Sequence, residues 1–318
     1  MRLLNSSYEI WEQEKGLLGV YKQIEKAART SYKSEDRITD DSAQKMVDSL
    51  IKSRHYACLE HGTIYLKCDD LGPDEYGKTS CTIPLKGKYS NNPYSKVVYH
   101  HWDQKPTELQ SEFCKTIPRT TVYVTTNARV IVENGWEDDL QYLCEPTKYH
   151  ERRITVKFVW PIGIVRDALR HRKFSFMNES TRYCNYGKDK FGNQVSFIIP
   201  SWSSIPPGEY DGPVNITKSL GKDFTFVYSC YNAEYFYMDM LRDGASPQEA
   251  REVLPLCTKS ELIMTGFVED WKHFFALRSH IAATGKPHPD MQVIVDKVLN
   301  EFIARDYIKG DEDLTQYK

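Results

Sequence analysis

Basic side chains that could bind phosphate are concentrated in one segment of the sequence. They are Arg166, Arg170, His171, Arg172, Lys173 and Arg182, with Asp167 and Glu179 as local counter-charges. Arg166 and Arg170 are four residues apart and share a helix face, where their repulsion disfavours the helix unless an anion lies against them. Guanidinium groups are planar forks suited to bidentate phosphate contacts. The segment therefore predicts a nucleotide-phosphate site.

A plainer interpretation of the same segment is a solvated helix end, because the helix dipole favours basic residues near a C-terminus. Neighbouring side chains argue against it, since they add flat stacking surfaces and neutral hydrogen-bonding groups. These neighbours are Phe174, Ser175, Phe176, Asn178, Ser180, Thr181, Tyr183, Asn185 and Tyr186. The combination is typical of a pocket for a nucleotide or an isoalloxazine ring.

The composition favours a globular protein with a local anion site. The chain has 318 residues and a formal net charge of −2, so it has no global attraction to nucleic acid or anionic membranes. No apolar run reaches the roughly 20 residues of a membrane span, and the N-terminus lacks a signal-peptide core, so we expect a cytoplasmic protein. The eight cysteines are scattered singly, which predicts neither a metal site nor a disulfide framework.

The elements that must position the basic segment follow from periodicity. Helices are predicted over 18–32, 41–53, 127–133, 161–169, 221–243 and 289–306, and strands over 63–67, 120–124, 154–159 and 195–199. Ser246 to Glu249 predicts another helix start through a capping box. The aromatic stripe of the 221–243 helix, from Phe224 to Met238, is interpreted as core. We expect an α+β fold, with a twisted, mainly antiparallel sheet, flanking helices and a large loop and hairpin insertion.

The basic segment also resembles a family signature. Arg170-His171-Arg172, seven further residues, then Ser180 and Arg182-Tyr183 resemble the R-H-R-x7-S signature of the flavin-dependent thymidylate synthases. Other stretches resemble the family's remaining motifs in order, over 27–31, 55–61, 247–255 and 274–278. The resemblance covers about 15–66 and 153–305. It implies one elaborated catalytic domain over 1–318, with an insertion at about 69–150.

The resemblance implies reductive methylation of dUMP to dTMP, with methylenetetrahydrofolate as carbon donor and NADPH-reduced FAD as hydride source. It also implies a homotetramer with shared active sites. The residues implied at dUMP are Asp167, Arg170, Asn178, Glu179, Ser180, Thr181, Arg182, Arg251 and Arg278. Those implied at FAD are Ser31, Glu60, Arg170, His171, Arg172, Lys173, Glu269, His273 and His288. Arg278 and His55 are the implied catalytic residues, Arg278 polarising the uracil and His55 lining the folate and flavin pocket.

Several positions depart from the family pattern. Asn178 stands where a glutamate is usual, because the Asn178-Glu179 pair directly precedes Ser180. Asp167 replaces a glutamine that often contacts dUMP. Three further replacements, Ala57, Phe267 and Glu269, fall at positions usually occupied by Ser or Thr, Asn and Arg. We therefore expect one end of FAD to be held differently here.

Two other functions remain open from the residues alone. A thymidylate synthase with a cysteine nucleophile would use Cys184, provided that the basic cluster lowers its pKa. A nucleotide- or RNA-binding module without catalysis would use the same basic and aromatic segment. The balanced charge argues against extended RNA contact, which normally needs a broad positive face.

Overall fold

The computed structural model describes residues 1–69, 85, 87–102, 119–211, 221–280 and 285–317. Packing of Cα atoms divides the chain into two compact units. The first unit comprises Met1–Trp11, Ala28–Arg37 and Ile154–Lys318, and the second comprises Glu12–Ala27 and Ile38–Arg153. The expected single catalytic domain stays a prediction. Much of the expected insertion, at 70–84, 86 and 103–118, lies outside the described residues.

Helices and strands alternate irregularly along the chain, as the α+β prediction requires. The helices are α1 Gly16–Tyr32, α2 Ser42–Lys52, α3 Ala128–Asn134, α4 Ile162–Ala168, α5 Lys222–Arg242, α6 Pro247–Ala250, α7 Val268–Arg278 and α8 Pro289–Ala304. The strands are β1 Arg2–Leu4, β2 Ser7–Trp11, β3 Thr63–Asp69, β4 Lys96–Trp102, β5 Arg119–Asn127, β6 Arg153–Pro161, β7 Ser175–Asn178, β8 Ser196–Ile198, β9 Gly208–Glu209 and β10 Lys259–Phe267.

The first unit is built on a four-stranded sheet in the order β2-β6-β10-β7. Strands β2 and β6 pair antiparallel, as do β10 and β7, so the α+β expectation is confirmed. All of β10 after Lys259 is buried. A smaller sheet in the order β8-β1-β9 joins the N-terminus to the 196–209 region.

Trp271 of α7 anchors the core of the first unit. Its indole is fully buried, and its Nε1–H donates to the carbonyl oxygen of Ile154 at 3.1 Å. The ring contacts the aromatic rings of Phe158, Phe274 and Phe302. Buried aromatic rings in such edge and tilted contacts add to the stabilisation from area burial. The cluster holds α7 in the core of the first unit, and Arg278 is the last residue of this helix.

The second unit contains the antiparallel sheet β3-β5-β4. In this unit α1 buries Val20 and Ile24. A Cβ added at Gly62 would lie 2.7 Å from atoms of both side chains, so a larger residue there would force them to move. Asn127 ends β5 and caps α3, accepting a hydrogen bond from the backbone N–H of Val130 at 3.1 Å. In the described part of the chain, no helix has both the length and the apolar character that crossing a bilayer needs.

The aromatic stripe predicted as the core face of α5 is only partly confirmed. Tyr231 and Met238 pack against a buried cluster, but Tyr228 and Tyr235 are 48% and 51% exposed. The buried face of α5 instead consists of Val227, Cys230, Ala233 and Tyr237. The two faces are adjacent on the helix. The smaller side chains of the buried face allow close packing, whereas amphipathic tyrosines tolerate water.

Two predictions for the C-terminal third need correction. Periodicity predicts only helices in this part of the sequence, but β10 lies in its middle and pairs with β7. The helix expected after Ser246 is a single turn, although its capping box forms, with Ser246 N–H donating to Glu249 Oε2 at 2.8 Å. The α8 prediction is confirmed, and its six apolar residues are all buried: Met291, Ile294, Val295, Val298, Leu299 and Phe302.

Candidate active site

The signature segment, residues 170–186, begins directly after α4 in the first unit. It turns through His171, passes along β7 and turns again at Ser180, whose carbonyl oxygen accepts from the Cys184 N–H at 3.0 Å. The Ser180 N–H donates to the carbonyl oxygen of Ser31 at 2.9 Å, and Ser31 Oγ donates to the carbonyl oxygen of Asn178, also at 2.9 Å. The end of α1 therefore holds the turn that contains the signature serine.

Thr181, Arg182, Gln248 and Arg251 form one polar cluster beside this turn. Arg182 Nε donates to Gln248 Oε1 at 2.8 Å, and Arg251 Nη1 donates to Thr181 Oγ1 at 3.3 Å. The capped turn of α6 orients Gln248 and Arg251, which are distant from the signature in sequence. Two guanidinium groups on facing segments suit a phosphate, which accepts bidentate hydrogen bonds from both.

Arg278 and His171 form a second contact between distant parts of the sequence. Arg278 Nε donates to His171 Nε2 at 3.0 Å, and Arg278 Nη2 donates to the carbonyl oxygen of Asp167 at 3.4 Å. Burial lowers the pKa of His171 to about 4, and the charges of Arg278 and His273 add to this effect. The imidazole is thus neutral near pH 7 and accepts a hydrogen bond without cancelling the charge of Arg278.

A cleft of about 560 Å³ lies beside α4. Arg166 and Arg170 both line it, together with His288, and Trp202, 47% exposed, forms part of its wall. The remaining lining is largely apolar: Pro161, Gly163, Ile164, Ile198, Pro200, Leu256 and Cys257, with Asp167 and Asp290. Cationic groups next to an indole and aliphatic side chains suit a planar, anionic ligand.

Comparisons with known proteins point to one family. Residues 150–305 match the family model described as thymidylate synthase complementing protein. A flavin-dependent thymidylate synthase of Synechocystis is 27% identical over 146 residues, covering 46% of this chain and 65% of that protein. Its counterpart from Mycobacterium marinum is 26% identical over 135 residues, covering 40% of this chain and 47% of that protein. The family match covers residues 150–305, just under half of the chain, and the matched relatives are flavin-dependent thymidylate synthases.

A solved structure was also matched. The UMP/dUMP methylase PolB from Streptomyces cacaoi, bound with 5-Br dUMP, covers 96% of this chain and 93% of its own with 18% identity and a TM-score of 0.42. Likeness at this level defines no ligand for the present chain. The matched segments of this chain span about half to two thirds of the length of these curated relatives.

Glu179, expected at dUMP, is only 2% exposed. Its carboxylate accepts from Lys259 Nζ at 2.7 Å and from the Tyr186 hydroxyl at 3.1 Å. The neighbouring Asn178 is exposed and donates to the carbonyl oxygen of Glu179 at 3.3 Å. Both contacts with dUMP remain predictions, and this geometry gives Glu179 a buried ionic partner instead.

The residues expected at FAD are spread over several elements. Arg172 and Lys173 are exposed in the turn after α4, and Lys173 Nζ lies 3.8 Å from Asp270 Oδ1. Glu269 is exposed in the first turn of α7, and the His273 Nδ1 is hydrogen-bonded to the carbonyl oxygen of Tyr317. His288 accepts from the Asp290 N–H at 3.2 Å and caps α8, where it lines the cleft. The FAD contacts of these residues stay predictions.

Two expected residues belong to the second unit. His55 is exposed and precedes a 3₁₀ helix over Tyr56–His61. Glu60, on that helix, forms an ion pair with Arg129 Nη1 at 2.6 Å. The catalytic role of His55 and the FAD contact of Glu60 stay untested.

Cys184 is poorly suited to be a nucleophile. Its side chain is 1% exposed, and burial raises the pKa of the thiol to about 12, with Glu179 adding to the effect. A reactive cysteine needs an accessible thiolate. Among the residues that the structure describes, no group of three or more histidine, cysteine or acidic side chains is placed to hold a metal ion.

Three residues of this candidate site were not predicted from the sequence. Gln248 orients Arg182, Lys259 pairs with Glu179, and Trp202 lines the cleft. A sequence signal for Lys259 exists: Lys259 and Glu261 are two residues apart at the start of an apolar run, which is the spacing of side chains on one face of a strand. Trp202 stands alone in a polar loop, and a single aromatic residue there gave no signal of a site.

Proposed function

We propose that this chain catalyses the reductive methylation of dUMP to dTMP, using methylenetetrahydrofolate as carbon donor and NADPH-reduced FAD as hydride source. The observation that carries the proposal is the polar cluster beside the Ser180 turn, in which Arg182 donates to Gln248 and Arg251 donates to Thr181. The match of residues 150–305 to the family model supports it. We expect the chain to act in the cytoplasm.

Arg182 and Arg251 would bind the 5′-phosphate of dUMP, with Thr181 and Ser180 as neutral donors. The cluster is preorganised, because Gln248 and Thr181 already hold the two guanidinium groups. Less side-chain entropy is lost on binding when the donors are held in place beforehand. Asp167 and Arg170, also expected at the nucleotide, line the cleft beside α4.

Arg278 would stabilise negative charge on the uracil ring. Among the described residues, its side-chain hydrogen bonds go to a neutral imidazole and a backbone carbonyl, so no carboxylate offsets its charge. A cation in such a setting stabilises developing negative charge more strongly than a solvated one. The pyrimidine needs this stabilisation when carbon five becomes nucleophilic.

The cleft beside α4 fits part of FAD. Arg166 and Arg170 would contact its phosphates, while Trp202 and Leu256 would cover a ring face. FAD held there would supply the hydride chemistry of the reaction. His171, Arg172, Lys173, Glu269, His273, His288, Ser31 and Glu60 are the further proposed FAD ligands, with His55 as the second catalytic residue.

We also propose a homotetramer with shared active sites. Tyr228, Tyr235 and Phe236 leave about half of each side chain exposed on α5. Exposed aromatic side chains on one helix are typical of surfaces that become buried in an assembly. Light scattering after size-exclusion chromatography should therefore give four times the 37.0 kDa chain mass. A monomer would refute the assembly.

The decisive experiment measures tritium release from dUMP labelled at carbon five. Release should require methylenetetrahydrofolate, FAD and NADPH, each omitted in turn, and the purified protein should show flavin absorbance. Titration calorimetry with dUMP and with FAD supplies the binding control. A protein that binds neither ligand, or that releases no tritium with all components present, would refute the proposal. Salt-dependent RNA binding in its place would favour the non-catalytic module.

A further inference from the structure

A buried ionic cluster lies under the Ser180 turn, and the proposed chemistry does not use it. Its members are Lys33, Lys157, Glu179, Lys259 and Glu261, with Glu35 at the edge. Lys259 Nζ is central, since it donates to Glu179 Oε2 and to Glu261 Oε1, both at 2.7 Å. Glu261 also contacts Lys33 Nζ at 3.0 Å and Lys157 Nζ at 2.6 Å.

The charges in this cluster are tightly compensated. Burial alone would raise the pKa of Glu261, but Lys259, Lys33 and Lys157 outweigh it and hold the pKa below its usual range. For Lys259, burial acts to lower the pKa, and the attraction of Glu179 and Glu261 outweighs it and raises the pKa. Buried charges of this kind are tolerated only with close, hydrogen-bonded partners.

The cluster joins directly to the turn that carries the proposed dUMP ligands. The Glu179 N–H donates to the carbonyl oxygen of Glu261 at 2.8 Å, and the next N–H, of Ser180, donates to the carbonyl oxygen of Ser31 at 2.9 Å. Both the side chain and the backbone of Glu179 are therefore held by β10, through Lys259 and through the carbonyl oxygen of Glu261. These bonds restrict the backbone conformation of the Ser180–Arg182 turn.

We infer that Lys259 and Glu179 are a positioning pair that sets the affinity for dUMP by orienting the Ser180–Arg182 turn, in place of the direct contact between Glu179 and dUMP that the family resemblance implies. The departure from the family pattern at Glu179 then has a physical role, because the carboxylate at this position is matched by a buried lysine. The inference rests on the proposed function. It adds that the KM for dUMP, rather than the maximal rate, depends on Lys259.

The test compares Lys259→Met with the matched control Lys157→Met. Both variants remove one lysine from Glu261, but Lys157 contacts Glu261 without contacting Glu179. Lys259→Met loses the charge-assisted hydrogen bond that orients the turn carrying the dUMP ligands. The KM for dUMP should therefore rise at least about 10-fold, with kcat changed less than about threefold. Lys157→Met should leave this KM within about twofold of the parent, and Lys259→Arg should restore it.

Folding is followed in parallel, because an unpaired buried glutamate destabilises the protein. If Lys259→Met does not fold, the double variant Glu179→Gln with Lys259→Met restores the charge balance, and it should still show the raised KM. A parental KM in either folded variant, or an equal rise in Lys157→Met, would overturn the inference. Calorimetry distinguishes failure of the proposed function from failure of this inference. A parent protein that binds no dUMP would refute the proposed function, whereas parental affinity for dUMP in Lys259→Met would refute only the inference.

Discussion

The contact between Arg278 and His171 makes the stability of this protein depend on pH in a defined way. The imidazole ring of His171 is buried. This burial, together with the charges of Arg278 and His273, lowers the pKa of His171 from 6.5 to about 4. The unfolded chain therefore binds this proton at a higher pH than the folded protein does. Protonation favours unfolding, so this histidine lowers the free energy of unfolding as the pH falls from about 6.5 towards 4.

The magnitude follows from the two pKa values. At pH 5 a histidine with a pKa of 6.5 in the unfolded state is almost fully protonated, whereas one with a pKa of about 4 is mostly neutral. Linkage then gives a loss of about 2 kcal/mol between about pH 7.5 and 5 from this residue alone. His171→Gln cannot titrate and keeps an acceptor for Arg278, so it should lack this loss.

The assay is urea unfolding of the parent protein and of His171→Gln at both pH values, monitored by tryptophan fluorescence. The parent should lose about 2 kcal/mol more than the variant, because all other titrating groups are shared. Histidine NMR should show His171 neutral down to about pH 5. Parallel stability losses in the two proteins, or a His171 resonance that titrates near pH 6.5, would refute the reasoning.

Three other substitutions probe the site and the core. Arg182→Ala should weaken dUMP binding about 10- to 100-fold in calorimetry, because a charge-assisted phosphate contact is lost; unchanged affinity would remove Arg182 from the phosphate site. Cys184→Ala should keep flavin-dependent turnover within about twofold, since its thiol is buried and its pKa is raised to about 12; abolished turnover would instead support a cysteine nucleophile. Trp271→Ala should lower the free energy of unfolding by about 3–5 kcal/mol in urea denaturation, since the indole is fully buried, and a loss below about 1 kcal/mol would contradict its place in the core.

Local sequence patterns predicted several helices and strands because their signals are short-range. The apolar spacing from Met291 to Phe302 predicts the buried face of α8, and the structure confirms it. The capping box at Ser246 forms as predicted, but the helix after it is only one turn long. Caps depend on three or four neighbouring residues, whereas helix length depends on what the helix packs against.

A strand that is buried on both faces of its sheet lacks the alternation of polar and apolar residues by which strands are recognised in a sequence. The residues of β10 are almost all buried, so they lack polar and apolar alternation and were not predicted as a strand. In α5 two stripes, one aromatic and one of smaller residues, fit the same helical period. Only packing decided that Tyr237 faces the core while Tyr235 faces water.

The sequence by itself determined the α+β class, the basic segment from Arg166 to Arg182 and a resemblance to one family, because residue identity and spacing are enough to define a signature. Tertiary structure decided which charges are available to a ligand. Glu179 and Arg182 are three positions apart, yet one is buried against Lys259 and the other is exposed beside Gln248. Such partners come from β10 and α6, so only folding brings them together, and the free energy of burying a charge selects the pairing.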